Sequence, residues 1–232
     1  MLVLLHEGLG SVAMWKSVPE DLARLTGCGV LAYSRYGNGF SDVLQASRAV
    51  SYMHDEATEA LPDVLDAFDV RNALLVGQSD GASIALIYAG EIGARLCGLV
   101  VEAPHVFVED LSVRSIAQAK TAFESTDLPQ RLGRYHADVQ RTFYGWNDIW
   151  LHPEFRSWNI QNSVRSVRVP ILAIQGVDDE YGTRAQLDAI VQDARNARVD
   201  TLMLANCNHA PHRDRADLVL PAIAAFVKSA AS

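Results

Sequence analysis

Cysteine is scarce in this chain. Cys28, Cys97 and Cys207 are the only three in 232 residues. An odd count without metal-like spacing argues against a disulfide framework or a metal site, and it predicts reduced thiols in a cytoplasmic protein. Cys207 lies two residues before His209, and its expected state is a buried thiol. Positive charge is also in short supply. Lys and Arg number 20 against 28 Asp and Glu, a formal net charge of −8. A phosphate backbone requires clustered Lys and Arg, so nucleic acid is not an expected partner. No apolar run approaches the roughly twenty residues of a membrane span. Met1 leads into Leu2-Val3-Leu4-Leu5 with no basic residues before it, so neither a signal peptide nor a membrane partner is expected. Repeats and low-complexity segments are lacking too.

What remains is an ordinary globular balance, 49% hydrophobic and 21% charged, in a chain long enough for one α/β domain and a lid. Short apolar runs of strand length occur at Val3–Leu5, Val30–Tyr33, Ala73–Val76, Leu96–Val101, Ile171–Gln175 and Val199–Leu204. Between them come segments of helical spacing. Trp15–Leu25 is followed by Gly27 and Gly29 as stop signals, and Tyr52–Phe68 contains Pro62, which should kink or break it. Later helices are expected over Thr183–Arg195 and Arg213–Lys228. Alternating apolar strands and helices imply a parallel sheet covered on both faces. The alternation stops from about Phe107 to Val167. There Leu111–Phe123 and Leu128–Phe143 look helical, and an aromatic stretch follows. Roughly sixty residues are too many for a loop, so the expected division is a core over 1–107, a small helical cap over 108–168, and the core again over 169–232.

The most informative stretch is Ala73–Tyr88, which reads as a buried strand, a tight turn and a helix. Gly77-Gln78-Ser79-Asp80-Gly81 has the Gly-x-Ser-x-Gly form of a nucleophile elbow. A serine hydroxyl is a poor nucleophile at neutral pH. It needs a base, and the base needs a third group to fix its tautomer and stabilise its cation. In a parallel α/β sheet such groups come from the carboxyl ends of strands. Asp178 and Asp179 follow one later strand and His209 follows the next, giving the chain order Ser, Asp, His. Glu102, after Leu96–Val101, is an alternative acid. The glycine-rich loop His6-Glu7-Gly8-Leu9-Gly10-Ser11 puts backbone N–H groups where an anion can meet them.

On these motifs the sequence resembles the α/β-hydrolase fold, in its large group of small esterases, lactonases and carbon–carbon bond hydrolases. The resemblance covers nearly the whole chain. His6–Ser11 sits where the family has its oxyanion loop, and Ser34–Asp42 resembles the family's Asp-x-Arg-Gly-x-Gly-x-Ser turn with Ser34 in place of the first Asp. In Pro170–Asp179 the acid is usually the third residue after the glycine, which favours Asp179 over Asp178. Asn206–His209 resembles the family's Gly-His turn. Glu7 stands in place of a glycine, and Gln78 where His is frequent. The chain begins at the strand that is third in most family members, so the usual first two strands are missing.

The resemblance implies a cofactor-independent serine hydrolase with no metal, acting on a small or medium carboxylic ester or lactone. Ser79 is the expected nucleophile, His209 the base and Asp179 the orienting acid, with the backbone N–H groups of Asp80 and of Gly8 or Leu9 as the oxyanion hole. Glu7, Gln78, His105, Trp146 and Trp150 are expected around the substrate. His6 and Arg35 are expected to support their loops, and His212 to lie near the rim. The aromatic set Phe143, Tyr144, Trp146, Trp150, Phe155 and Trp158 is mostly cap core by expectation. Arg114, Arg134, Arg141 and Arg156 are solvated helix charges, unless one of them holds a substrate carboxylate. Two alternatives stay open: a carbon–carbon hydrolase of vinylogous diketones, which would need such a cation, and a non-catalytic ligand-binding protein. The expected partner is a small-molecule substrate, and the expected assembly a monomer or homodimer.

Overall fold

The computed structural model describes residues 1–230. Strands β1 (Leu2–Leu5), β2 (Val30–Ala32), β3 (Ala73–Gln78), β4 (Leu96–Glu102), β5 (Ile171–Gly176) and β6 (Val199–Leu204) run parallel in the order β2-β1-β3-β4-β5-β6. Alternate residues serve two separate cores. Leu2, Leu4, Leu74, Val76, Val100, Leu172 and Ile174 face one helical layer. Val3, Leu5, Leu75, Val101, Ile171 and Ala173 face the other. This is why the strands read as unbroken apolar runs: a parallel sheet covered on both faces leaves no side of the pleat for water. Each strand side chain of β1 is at most 1% exposed, and full burial of one such side chain stabilises by about 1.5–3 kcal/mol.

One layer holds α1 (Val18–Thr26), joined at the far end of the chain by α11 (Ala216–Ala230). The other begins with α2 (Tyr52–Asp55), a π-helical turn at Glu56–Ala60, and α3 (Leu61–Ala67). The helix expected over Tyr52–Phe68 is therefore three pieces. The disturbance sits one turn before Pro62, because proline lacks the N–H and its ring crowds the carbonyl four residues back, which the wider π turn accommodates. The helix expected from Trp15 likewise starts later, after a 3₁₀ turn at Val12–Trp15.

The central helix α4 (Asp80–Glu91) is buried from Asp80 through Ala89. Its small residues let it lie close to the sheet. At its far end a Cβ on Gly90 would fall inside the carbonyl of Ser163. Between β4 and β5 come α5 (Asp110–Ser125), α6 (Leu128–Leu132), α7 (Val139–Trp150), a 3₁₀ turn at Pro153–Ser157, and α8 (Gln161–Ser166). The single helix expected over Leu128–Phe143 is broken at residues 133–138, where His136 leaves the helical path to bind two loops of the core. Phe123 and Phe143 stack at 3.8 Å to join α5 with α7. Helix α8 belongs to the layer beside α4: Ser163 Oγ donates to Glu91, and Arg165 pairs with Asp193 at the end of α9 (Ala185–Asp193). The short α10 (Pro211–Asp214) precedes α11.

Gly90→Ala should destabilise the protein, because the added methyl meets backbone rather than a movable side chain. Overpacking of this kind costs about 1–3 kcal/mol. The midpoint of urea unfolding should fall accordingly, and a midpoint equal to wild type would contradict the packing described.

Candidate active site

The carboxyl ends of the strands lie level with one another. Leu5 pairs with Gly77, Gln78 with Glu102, Glu102 with Ile174, and Gly176 with Leu204. Every turn leaving that edge therefore opens toward the same space. At the centre Ser79 takes φ 53° and ψ −119°, a left-handed conformation that costs a non-glycine residue about 1–3 kcal/mol. The elbow needs its two glycines for close approach. A Cβ on Gly77 would strike the Gly81 carbonyl, and one on Gly81 would strike the Leu5 carbonyl at the end of β1. The Ser79 amide donates to the Glu102 carbonyl at 2.9 Å, tying the turn to β4.

Ser79 Oγ lies 2.9 Å from His209 Nε2. His209 Nδ1 lies 2.8 and 3.0 Å from the two carboxylate oxygens of Asp179. The same carboxylate accepts from the Tyr181 amide at 2.8 Å, the Gly182 amide at 3.2 Å and Gln175 Nε2 at 2.7 Å. These bonds fix the acid and leave the imidazole one orientation. Asp178, whose side chain is exposed, takes no part; its amide donates to the Cys207 carbonyl. Glu102 is not the partner of His209. Its Oε2 accepts from the backbone N–H and Nδ1 of His212, both at 2.9 Å. A profile of the alpha/beta hydrolase family matches residues 2–222. The chain belongs to the alpha/beta hydrolase family.

Solved members of the fold superpose over almost the full length. A 2-hydroxy-6-oxo-6-phenylhexa-2,4-dienoate hydrolase from Rhodococcus sp. has a TM-score of 0.80 at 15% identity, covering 99% of this chain and 89% of that one. An enol-lactonase from Burkholderia xenovorans has 0.75 at 18%, covering 98% and 90%. A monoacylglycerol lipase from Paleococcus ferrophilus has 0.71 at 16%, covering 99% and 94%. At these identities the likeness is one of fold. A curated relative, 2-succinyl-6-hydroxy-2,4-cyclohexadiene-1-carboxylate synthase from Escherichia coli, is 30% identical over 122 residues. That match spans 50% of this chain and 43% of the relative, less than half its length.

The loop after β1, His6–Ser11, is held by side chains from other segments. His6 Nε2 accepts from the Arg35 amide at 3.1 Å, which leaves Nδ1–H to donate to the Glu7 carbonyl at 2.7 Å. The Arg35 guanidinium donates to the carbonyls of both His6 and Glu7. Asn38 Nδ2 donates to the carbonyls of Gly8 and Gly10. His136 spans Leu9 O at 2.9 Å and the Gly39 amide at 2.9 Å. The Leu9 amide donates to the Glu7 carboxylate at 2.6 Å. Of the amides expected from this loop, that of Leu9 is thus already engaged by a side chain.

The cavity holds about 350 Å³. Glu7, Gln78, His105, Trp146 and Trp150 all line it. Trp146 packs directly on Gly8, where no Cβ would fit. Gln78 also donates to the His209 carbonyl at 2.9 Å, so it steadies the histidine loop from β3. The Asp80 side chain points away from the reaction, accepting from Tyr52 at 2.6 Å, and Trp150 Nε1 donates to the same tyrosine oxygen at 3.1 Å. His212 is buried and lines the cavity against Trp15, at 4.7 Å between ring centres, rather than lying loose at the rim. Of the arginines considered as carboxylate holders, Arg141 donates to the Leu44 carbonyl and Arg156 pairs with Asp110; neither these nor Arg114 and Arg134 line the cavity. Sequence reading missed His136, hidden inside a presumed helix; Gly133 was the only signal of a break. Among the described residues no group of His, Cys, Asp and Glu could hold a metal, and no helix is long and apolar enough to cross a membrane.

Electrostatics separate the imidazoles. Burial alone would lower the pKa of His209, but the hydrogen bond and charge of Asp179 outweigh it, and the pKa is raised above 6.5. Burial pushes Asp179 up, but His209 and the Tyr181 amide hold it below its usual value. His105 is lowered to about 3 by burial and by the neighbouring His209. His209 takes a proton from Ser79 only in its neutral form, so protonation on the acid side blocks reaction at the serine. The rate of Ser79 modification by a fluorophosphonate should therefore fall as pH drops through a value above 6.5. An acid limb centred at or below 6.5 would contradict the coupling to Asp179.

Proposed function

We propose that the protein is a cofactor-independent serine hydrolase that cleaves a small or medium carboxylic ester or lactone through an acyl-enzyme. The observation that carries this reading is the unbroken line from Ser79 Oγ through His209 to Asp179, with distances of 2.9 and 2.8 Å. His209 takes the proton from Ser79 as the oxygen attacks the carbonyl carbon. The amides of Gly8 and Asp80 receive the negative charge that develops on the carbonyl oxygen, and one such donor contributes about 3–4 kcal/mol. Collapse of the tetrahedral species expels the alcohol, which takes the proton from His209. Water, deprotonated by His209, then releases the acid and restores Ser79. Asp179 keeps the tautomer that places the lone pair at Nε2 and stabilises the imidazolium in both halves of the cycle.

The cavity's lining supports an ester or lactone over a diketone bearing a carboxylate. Arg213 is the one Lys or Arg on it, and its side chain is 74% exposed and paired with Asp214. The largely apolar walls of Leu9, Met14, Ile116, Leu128 and Leu132 suit a short acyl or alkyl chain and exclude water from the reacting bond.

A fluorophosphonate should label the protein once, at Ser79, and Ser79→Ala should lose both the label and hydrolysis of short-chain esters. Asp179→Asn should retain the fold and lose about 10⁴-fold in kcat. A stoichiometric label on another residue, or full esterase activity in Ser79→Ala, would sink the reading.

A further inference from the structure

Resting on the serine-hydrolase reading, we propose that Glu7, on the wall of a cavity it shares with Trp146 and Tyr181, marks an ammonium subsite, so that the preferred substrate carries a protonated amine close to the scissile carbonyl. Glu7 immediately precedes Gly8 on the oxyanion loop, and its side chain lines the cavity. Its Oε2 accepts from the Leu9 amide at 2.6 Å. Its Oε1 has no hydrogen-bond partner among the described residues. The nearby Arg35 guanidinium does not neutralise it by contact, because its bonds go to the carbonyls of His6 and Glu7. Burial raises the pKa of Glu7 and Asp80 adds to it, against the Leu9 amide, His209 and Arg35, which lower it; the net direction is upward, so its anion gains from a cation brought beside it.

The surroundings suit a cation. Glu180 is the second carboxylate on the cavity wall. Burial lowers the pKa of both His6 and His105, so these two imidazoles add no positive charge at neutral pH. Trp146 packs on Gly8 directly next to Glu7. Tyr181 lies across the cavity with its ring 4.7 Å from that of His209. Carboxylates and aromatic rings lining one cavity are the chemistry that recognises an ammonium group, by charge pairing and by attraction to the ring faces. The Glu7 carboxylate repels an acyl group that ends in a carboxylate, and it stands beside the amide expected to receive the oxyanion. An ammonium placed there offsets that unfavourable charge as the transition state forms.

The test is an isosteric series of methyl esters at pH 7: β-alanine methyl ester, methyl butyrate and monomethyl succinate, followed by acid release. The wild-type order of kcat/KM should be ammonium, then neutral, then anionic, with roughly tenfold or more between the ends. Glu7→Gln should shrink that spread by a similar factor. In parallel, n-butylammonium should slow fluorophosphonate labelling of Ser79 in the wild type and butyrate should not, which gives the same readout without turnover. Equal rates for the three esters, equal protection by the two ions, or an unchanged spread in Glu7→Gln would each overturn the subsite. Absence of any Ser79 label would instead overturn the hydrolase reading on which it rests. If Glu7→Gln fails to fold, the wild-type order and the protection experiment still decide.

Discussion

At Ser79 the chain turns from a buried strand into a buried helix with φ at 53°, and this one left-handed residue sets what its neighbours can be. The turn is so tight that the helix backbone passes against the end of the first strand, at the Leu5 carbonyl, and against its own incoming strand at Gly77. Side chains cannot occupy either crossing. The strain is offset locally. The Ser79 amide bonds to β4, and its carbonyl accepts from the Ala82 and Ser83 amides of the helix it begins. Those bonds hold the hydroxyl above the strand ends, where the other loops converge.

Around that point several buried polar side chains tie one loop to another. Arg35 and Asn38, on the turn after β2, bind carbonyls of the loop after β1. His136, from the insertion, binds the same loop from above. Glu102 at the end of β4 and Gln78 at the end of β3 each bind the loop that carries His209. A buried polar group without a partner costs roughly 1–3 kcal/mol, so these bonds constrain the loops as strongly as packing does. The result is a reacting group whose position is determined by five strand ends and one inserted segment together.

Much of this was legible before the fold was seen. The elbow, the chain order of Ser79, Asp179 and His209, and the loop at His6–Ser11 are local patterns, because each sits at a strand end that an apolar run announces. The strands were legible for the same reason. The helices were less so. Pro62 marked a break, but its form as a π turn upstream depends on packing against α4, and the apparent helix over Leu128–Phe143 hid the segment in which His136 reaches back to the core. Glu102 stood as an alternative acid for His209, and nothing in the spacing of residues 102 and 212 announced that it would instead bind the backbone N–H and Nδ1 of His212.

The sequence by itself pointed to the family, the parallel sheet, Ser79 and His209, because these follow from short-range patterns of backbone crowding and apolar periodicity; the choice of Asp179 over Asp178 waited for the structure. Only the tertiary structure decided that the Leu9 amide is taken up by the Glu7 carboxylate, and that Glu7 and Trp146 line one cavity. It also decided that no lysine, and no arginine other than the exposed Arg213, lines that cavity. Those facts depend on residues 7, 146 and 213 lining one cavity, and distances between such positions are set by how the layers pack, not by any local run of residues.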